Sequence, residues 1–134
     1  MSHRAQIIAA ATKYLEAIVS HEPSEVPFAE NARRFEQGHP YGDTPDEIRE
    51  GLRASAMDVV TGMGPVRWIV EQESEQAVAF FEVDLDHGGT CRLAERFRVR
   101  DGLIEEIEAI FTIDDRPRAG WISAPAHGDA GDAG

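Results

Sequence analysis

The chain has 134 residues, 42% hydrophobic and 28% charged, with a formal net charge of −12 at pH 7, which is the size and make-up of one globular domain able to bury a core. So acidic a chain does not suit nucleic acid or anionic membranes, which attract basic surfaces. A single cysteine, Cys91, rules out an internal disulfide, and the first residues carry neither a signal-peptide core nor an apolar run of membrane-spanning length, so a soluble, cytoplasmic protein is expected.

Ile7, Ile8, Ala11, Tyr14, Leu15, Ile18 and Val19 recur at helical spacing and predict a first helix that stops near His21. Residues 24–30 read as a connection or a helical turn, 31–38 as a short strand and 39–43 as a loop. A second helix opens at Thr44, with Pro45 at its first position and Glu47 three after the cap, and is expected to reach 61–65. Strands follow over 66–74, 76–86, 90–100 and 103–113, with turns at 87–89 and at Asp101-Gly102. Residues 1–118 are read as one domain, and 119–134, rich in Gly, Ala and Asp, as a flexible tail. Helices first and an antiparallel meander after imply an α+β domain whose sheet curls around the helices and leaves a concave pocket.

Strand 91–99 alternates between Cys91, Leu93, Glu95, Phe97 and Val99 on one face and arginines on the other. Glu95 therefore stands on an otherwise apolar face. Two readings follow. Inside an apolar pocket its pKa rises and it donates a proton or a hydrogen bond near neutral pH. At the rim, or paired with an arginine, it is an ordinary surface acid. Tyr14 lies on the apolar face of the first helix, where a packing tyrosine is the plain alternative. Glu36, His39 and Tyr41 sit where a strand meets a loop, a place that often carries function but also often only solvates charge. The arginines at 92, 96, 98 and 100 suit Glu106 and Glu108 of the last strand.

The order of these elements, carried by "KYLEAIVSHEP", "FAENARRFEQG", "TPDEIREGL" and "LAERFRVRDGLIEEIEAIF", resembles the cone-shaped fold of the nuclear transport factor 2 (NTF2-like) superfamily, in its SnoaL-like and ketosteroid-isomerase-like branch. The resemblance spans residues 5–115 and implies N-terminal helices packed on a curved, mostly antiparallel sheet around a pocket. It also implies three polar pocket residues: Tyr14 on the first helix, Glu36 (or Gln37) at the end of the first strand, and Glu95. Both acids are Glu where ketosteroid isomerases use Asp. Phe28, His39, Trp68, Phe80 (or Phe81), Phe97, Ile107 and Phe111 are expected to line the substrate site, and a homodimer through the outer sheet face is implied.

The chemistry so implied is cofactor-independent. Tyr14 and protonated Glu95 would donate to a carbonyl oxygen while Glu36 takes a proton from the adjacent carbon, which isomerises a steroid, terpenoid or polyketide-like substrate. Rival readings on the same cone are a dehydratase, a cyclase, a hydrolase and a non-catalytic binding or dimerisation module. A hydrolase would need two acids bridged by an arginine. Arg34 and Arg96 are available, but alternation puts Arg96 on the face opposite Glu95. A histidine-based dehydratase is disfavoured because His21, His39 and His87 fall in predicted loops. No ligand spacing for a metal is present.

Overall fold

A computed structural model describes residues 2–118, and the tail expected over 119–134 lies outside the described residues. Helix α1 (His3–Ser20) opens on Ser2, whose hydroxyl accepts from the Ala5 N–H, and ends at His21, whose N–H donates to Ala17 O from a left-handed φ of 62°. A 3₁₀ turn at Pro23–Glu25 leads into β1 (Phe28–Glu36), which starts before the expected 31–38 strand and ends before it too. Gln37 and Gly38, at φ 52° and 85°, turn the chain into a two-residue β2 (His39–Pro40), where a loop was expected.

Helix α2 (Pro45–Arg53) is capped as its sequence indicates, with Thr44 Oγ1 accepting from the Glu47 N–H at 3.1 Å. It ends well before the expected 61–65. A 3₁₀ turn (Ser55–Val59) follows, and the β-branched residues Val60 and Thr61 open a strand, β3 (Val60–Met63). Gly62 leaves room for the Asp84 carboxylate on the paired strand, whose Oδ2 would stand 2.7 Å from an added Cβ. The remaining strands are β4 (Arg67–Glu71), shorter than the 66–74 expected, then β5 (Gln76–Leu85), β6 (Thr90–Arg100) and β7 (Leu103–Asp114). Asp101 and Gly102, at φ 54° and 77°, form the tight β6–β7 turn that the dipeptide predicts.

All seven strands form one sheet in the order β2-β1-β7-β6-β5-β3, with β4 also paired to β5. Every pairing is antiparallel except β1 with β7. The first and last long strands thus lie side by side, and that parallel seam sets the end of β1 against the middle of β7. α1 packs Ile7, Ala11, Tyr14, Leu15 and Ile18 against the apolar, concave sheet face. The result is the expected α+β cone: helices held against a curved, mostly antiparallel sheet.

On the convex face the arginines meet the acids of β7 and β5. Arg96 bonds Glu106 at 3.0 Å and Glu108 at 2.9 Å, and Arg92 bonds Glu82 at 2.9 Å and Asp114 at 3.1 Å. Strict alternation along β7 holds from Ile107 to Ile113 but not before. A register shift between Arg98 and Val99 pairs Val99 with Ile104 and Arg98 with Glu106, so Glu105 is the extra residue of a bulge. Ile104 is consequently buried at 0% exposure while Leu103 is 43% exposed. Ile104→Ala should therefore cost about 2–5 kcal/mol in chemical denaturation, whereas Leu103→Ala should stay within about 0.5 kcal/mol of wild type. The reverse ranking would mean that the bulge is absent.

Candidate active site

Residues paired directly across a sheet point to the same face. Glu36 pairs with Ala109, Ala109 with Glu95, Glu95 with Ala79, and Ala79 with Trp68. These five side chains form one row across five strands of the concave face. The next row is Arg34, Ile107, Phe97, Ala77 and Val70. Glu95 thus has an alanine on each side, and neither neighbour has a group that can reach its carboxyl. Glu95 is 0% exposed, and neither of its oxygens has a hydrogen-bond partner.

Tyr14 arrives from α1, above this floor. Its ring is packed edge-on by Phe97 at 5.6 Å and Phe28 at 6.3 Å, and Trp68 lies 6.3 Å beyond Phe97. Arg34 joins the polar groups. Its Nε donates to Tyr14 Oη at 2.8 Å, its Nη1 donates to Glu36 Oε1 at 2.6 Å, and its Nη2 stands 3.8 Å from Glu95 Oε2. The first two are hydrogen bonds; the third is an ion-pair separation too long for one. Because Tyr14 accepts from Arg34, its own O–H remains available to donate.

Burial pushes the Glu95 carboxyl up from its ordinary 4.5, the Arg34 charge opposes that, Glu36 reinforces it, and the outcome is a pKa of about 7. One cation cannot neutralise two buried-side carboxylates, so a proton on Glu95 restores balance. Burial likewise holds the Tyr14 phenol above its usual range despite Arg34, which keeps it a donor. Burial works against the charge on Arg34, but Tyr14, Glu95 and Glu36 outweigh it and leave the guanidinium firmly charged. The Cys91 thiol on the same face is pushed up to about 11 by burial and by the two glutamates, which removes it as a nucleophile.

The structure brings Tyr14, Glu36 and Glu95 together around Arg34. It separates the two candidates at the end of β1, because Gln37 clamps the Phe111 backbone, donating to its O at 3.1 Å and accepting from its N–H at 3.0 Å. Phe28, Trp68, Phe97 and Ile107 surround the polar cluster, and Phe111 is half-buried beside Leu93. Phe80 does not belong there. It pairs with Ala94 and Arg67 on the convex face, with the Arg67 guanidinium 5.7 Å above its ring, and Phe81 takes the interior place on the same face as Ala77, Ala79, Val83 and Leu85. His39 is exposed, opposite Glu36 in the β1–β2 pairing. Arg34, weighed from the sequence only as a possible bridge between two acids in a hydrolase, is the residue that joins the cluster. Its signal was present: Arg34 and Glu36 alternate onto one face of β1. Among the described residues, no group of three or more His, Cys, Asp or Glu is placed to hold a metal ion, and no helix is long and apolar enough to cross a membrane.

Since Glu95 binds its proton more tightly when folded, the unfolded chain releases that proton near pH 4.5 while the folded one keeps it to about 7. Wild type should therefore lose stability relative to Glu95→Gln as pH rises through this window, by on the order of 3 kcal/mol. Denaturant titrations of both proteins at pH 4, 5.5, 7 and 8 read this out; a difference independent of pH would contradict it.

No curated protein matches the chain in sequence. Among similar solved structures is a protein with a cystatin-like fold from Methylobium petroleophilum, at a TM-score of 0.69 and 16% identity, covering 96% of this chain and 91% of that one. An NTF2-like protein from Cytophaga hutchinsonii aligns at a TM-score of 0.61 and 7% identity over 79% and 89% of the two chains. A steroid delta-isomerase from Pseudomonas aeruginosa aligns at 0.63 and 16% identity over 81% and 80%. At such identities these likenesses establish the fold alone, a cystatin-like or NTF2-like cone. At the level of sequence, residues 1–111 match one family model, and the chain belongs to that family, the domain of unknown function DUF8021.

Proposed function

We propose that the protein is a cofactor-independent acid–base enzyme that transfers a proton alpha to a carbonyl in a small apolar substrate, such as a steroid, terpenoid or polyketide-like ketone. One observation carries this reading: a fully buried carboxyl group without a hydrogen-bond partner faces a tyrosine–arginine pair among aromatic side chains. A steroid delta-isomerase on the same fold supports placing isomerisation first.

The roles differ from those the resemblance implied. Glu36 Oε1 is engaged by Arg34 Nη1, while both oxygens of Glu95 are unoccupied. Glu95 is therefore the better base, and Tyr14 the donor to the substrate oxygen. In the forward step the Glu95 carboxylate takes the proton from the alpha carbon, and the C–H electron pair moves into the carbonyl to form an enolate. Tyr14 O–H stabilises the oxygen, with Arg34 behind it and Glu36 holding Arg34 in place. Glu95 then returns the proton to a carbon further along the conjugated system, and the carbonyl re-forms. A general base of this kind contributes about 10²–10⁴-fold, and a fixed donor to the oxyanion about 10²–10³-fold.

A second reading has its own support. Arg34 joins Glu36 and Glu95, the two-acid bridge that a water-activating hydrolase requires and that Arg96, paired with Glu106 and Glu108 on the convex face, does not supply. Proton exchange in D₂O separates the two. With an apolar cyclic enone, wild type should incorporate deuterium at the alpha or gamma carbon, at a rate that rises with pH to a plateau above about 7 as Glu95 ionises. Glu95→Gln should lose about 10²–10⁴-fold and Tyr14→Phe about 10²–10³-fold. Full exchange by Glu95→Gln would overturn the assignment.

The convex face supports the proposal of a homodimer. Its ion pairs are satisfied within the chain, and between them stand Ile110, 58% exposed and paired with Ala94, and Ile69, 62% exposed and paired with Val78. Ile110→Glu should convert a dimer to a monomer in light scattering without altering the fold; a wild type already monomeric at high concentration would rule the dimer out.

A further inference from the structure

Tyr41 is 61% exposed, yet its backbone is fixed against the candidate site. The β1–β2 register pairs Glu36 with His39 and Phe35 with Pro40. Two further backbone bonds extend it by one step: the Tyr41 N–H donates to Arg34 O and the Arg34 N–H donates to Gly42 O, both at 2.8 Å. Tyr41 thus stands opposite Arg34, and residues so paired point to the same face. The loop is also held from α2. The Asp43 N–H donates to Glu47 Oε1 at 2.8 Å, and Arg33 Nη2 donates to Asp43 Oδ1 at 3.1 Å. Gly42 lies so close to α2 that an added Cβ would stand 3.0 Å from Ile48 Cγ1.

The Tyr41 ring lies over the Arg34 guanidinium, with 5.6 Å from the guanidinium carbon to the ring centre, which is within the range of a cation–π contact. Arg34 is enclosed as a result. Tyr14 takes its Nε, Glu36 takes its Nη1, Glu95 stands 3.8 Å from its Nη2, and Tyr41 covers it from the side of β2. Its side chain is only 15% exposed, although nothing but the two-residue β2 separates β1 from the edge of the sheet. A guanidinium on a long, flexible stem beside a sheet edge has water as a competing partner. Without a cover it can turn outward and leave the two acids.

We propose that Tyr41 is a positioning residue: its ring holds the Arg34 guanidinium inward and shields it from water, so that this cation stays on Tyr14 and Glu36 and beside Glu95. Tyr41 acts through Arg34 rather than on the substrate. The face of the ring supplies the contact, so the hydroxyl is dispensable. The placement of Arg34 is independent of the reaction, whereas the consequence for turnover rests on the proton transfer proposed above.

Two variants of the full chain test this. Tyr41→Phe keeps the ring face and Tyr41→Ala removes it, and at so exposed a position neither should unfold the protein. In ¹⁵N NMR the Arg34 Nε–H should exchange slowly with water in wild type and in Tyr41→Phe, and severalfold faster in Tyr41→Ala. The groups facing Glu95 are Arg34 and Glu36 from β1, Tyr14 from α1 and Cys91 two residues along β6, while β5 and β7 bring Ala79 and Ala109. Arg34 is the cation among them, so letting it turn outward should move the Glu95 carboxyl midpoint upward in Tyr41→Ala and leave it in place in Tyr41→Phe. In the enone exchange assay Tyr41→Ala should lower kcat severalfold with little change in KM. Unaltered Arg34 exchange in Tyr41→Ala, or a Glu95 midpoint that stays or falls, would overturn the proposal, as would Tyr41→Phe behaving like Tyr41→Ala. A wild type without exchange activity would count against the proposed reaction instead, and the two NMR results would still decide the role of Tyr41.

Discussion

One guanidinium serves three partners at the floor of this cone, and the rest of the site follows from that shortage of positive charge. Arg34 is hydrogen-bonded to Tyr14 and Glu36 and stands at ion-pair distance from Glu95. Two carboxyl groups with one cation in a desolvated place cannot both be ionised at low cost. Glu36 has the hydrogen-bonded contact and some access to solvent; Glu95 has neither. The proton therefore resides on Glu95 until about neutral pH, and a group that titrates there can both take and return one.

The fold supplies this arrangement through register rather than through loops. The parallel seam between β1 and β7 aligns Glu36 with Ala109, and the β6–β7 ladder aligns Ala109 with Glu95. A slip of one residue in either pairing would turn Arg34 or Glu95 to the convex face and dissolve the cluster. The bulge at Glu105 keeps both requirements compatible: it lets Ile104 and Ile107 face inward together although they are three residues apart. α1, capped at Ser2 and closed at His21, then sets Tyr14 above Arg34.

Much of this was legible in the residues. The helical spacing through Tyr14, the Thr44-Pro45-Glu47 cap, the Asp101-Gly102 turn and the odd-numbered apolar face of β6 each have local causes, and each appears in the fold. The position of Glu95 on the apolar face needed only a period of two. What local pattern does not encode was missed. The end of α2 depends on β3 finding a partner in β5, and the inward turn of Ile104 depends on a bulge set by cross-strand pairing. Phe81 shares its face with Ala77, Ala79, Val83 and Leu85, and Phe80 shares the other with Glu82 and Asp84, so alternation favours Phe81 for the interior, where the sheet places it. The role of Arg34 was hidden for a non-local reason: its face on β1 could be read from alternation, but its approach to Glu95 arises from two strands far apart in sequence.

The central claim, that Glu95 titrates near neutrality because it is desolvated beside a single shared cation, is tested most directly by ¹³C NMR of the glutamate carboxyl carbons across pH, with the Glu95 resonance assigned by its loss in Glu95→Gln. The account predicts a midpoint of about 7 for Glu95 in the wild-type protein, moving higher in Arg34→Met, where the opposing charge is gone. A midpoint near the ordinary 4.5, or one that Arg34→Met leaves in place, would contradict it.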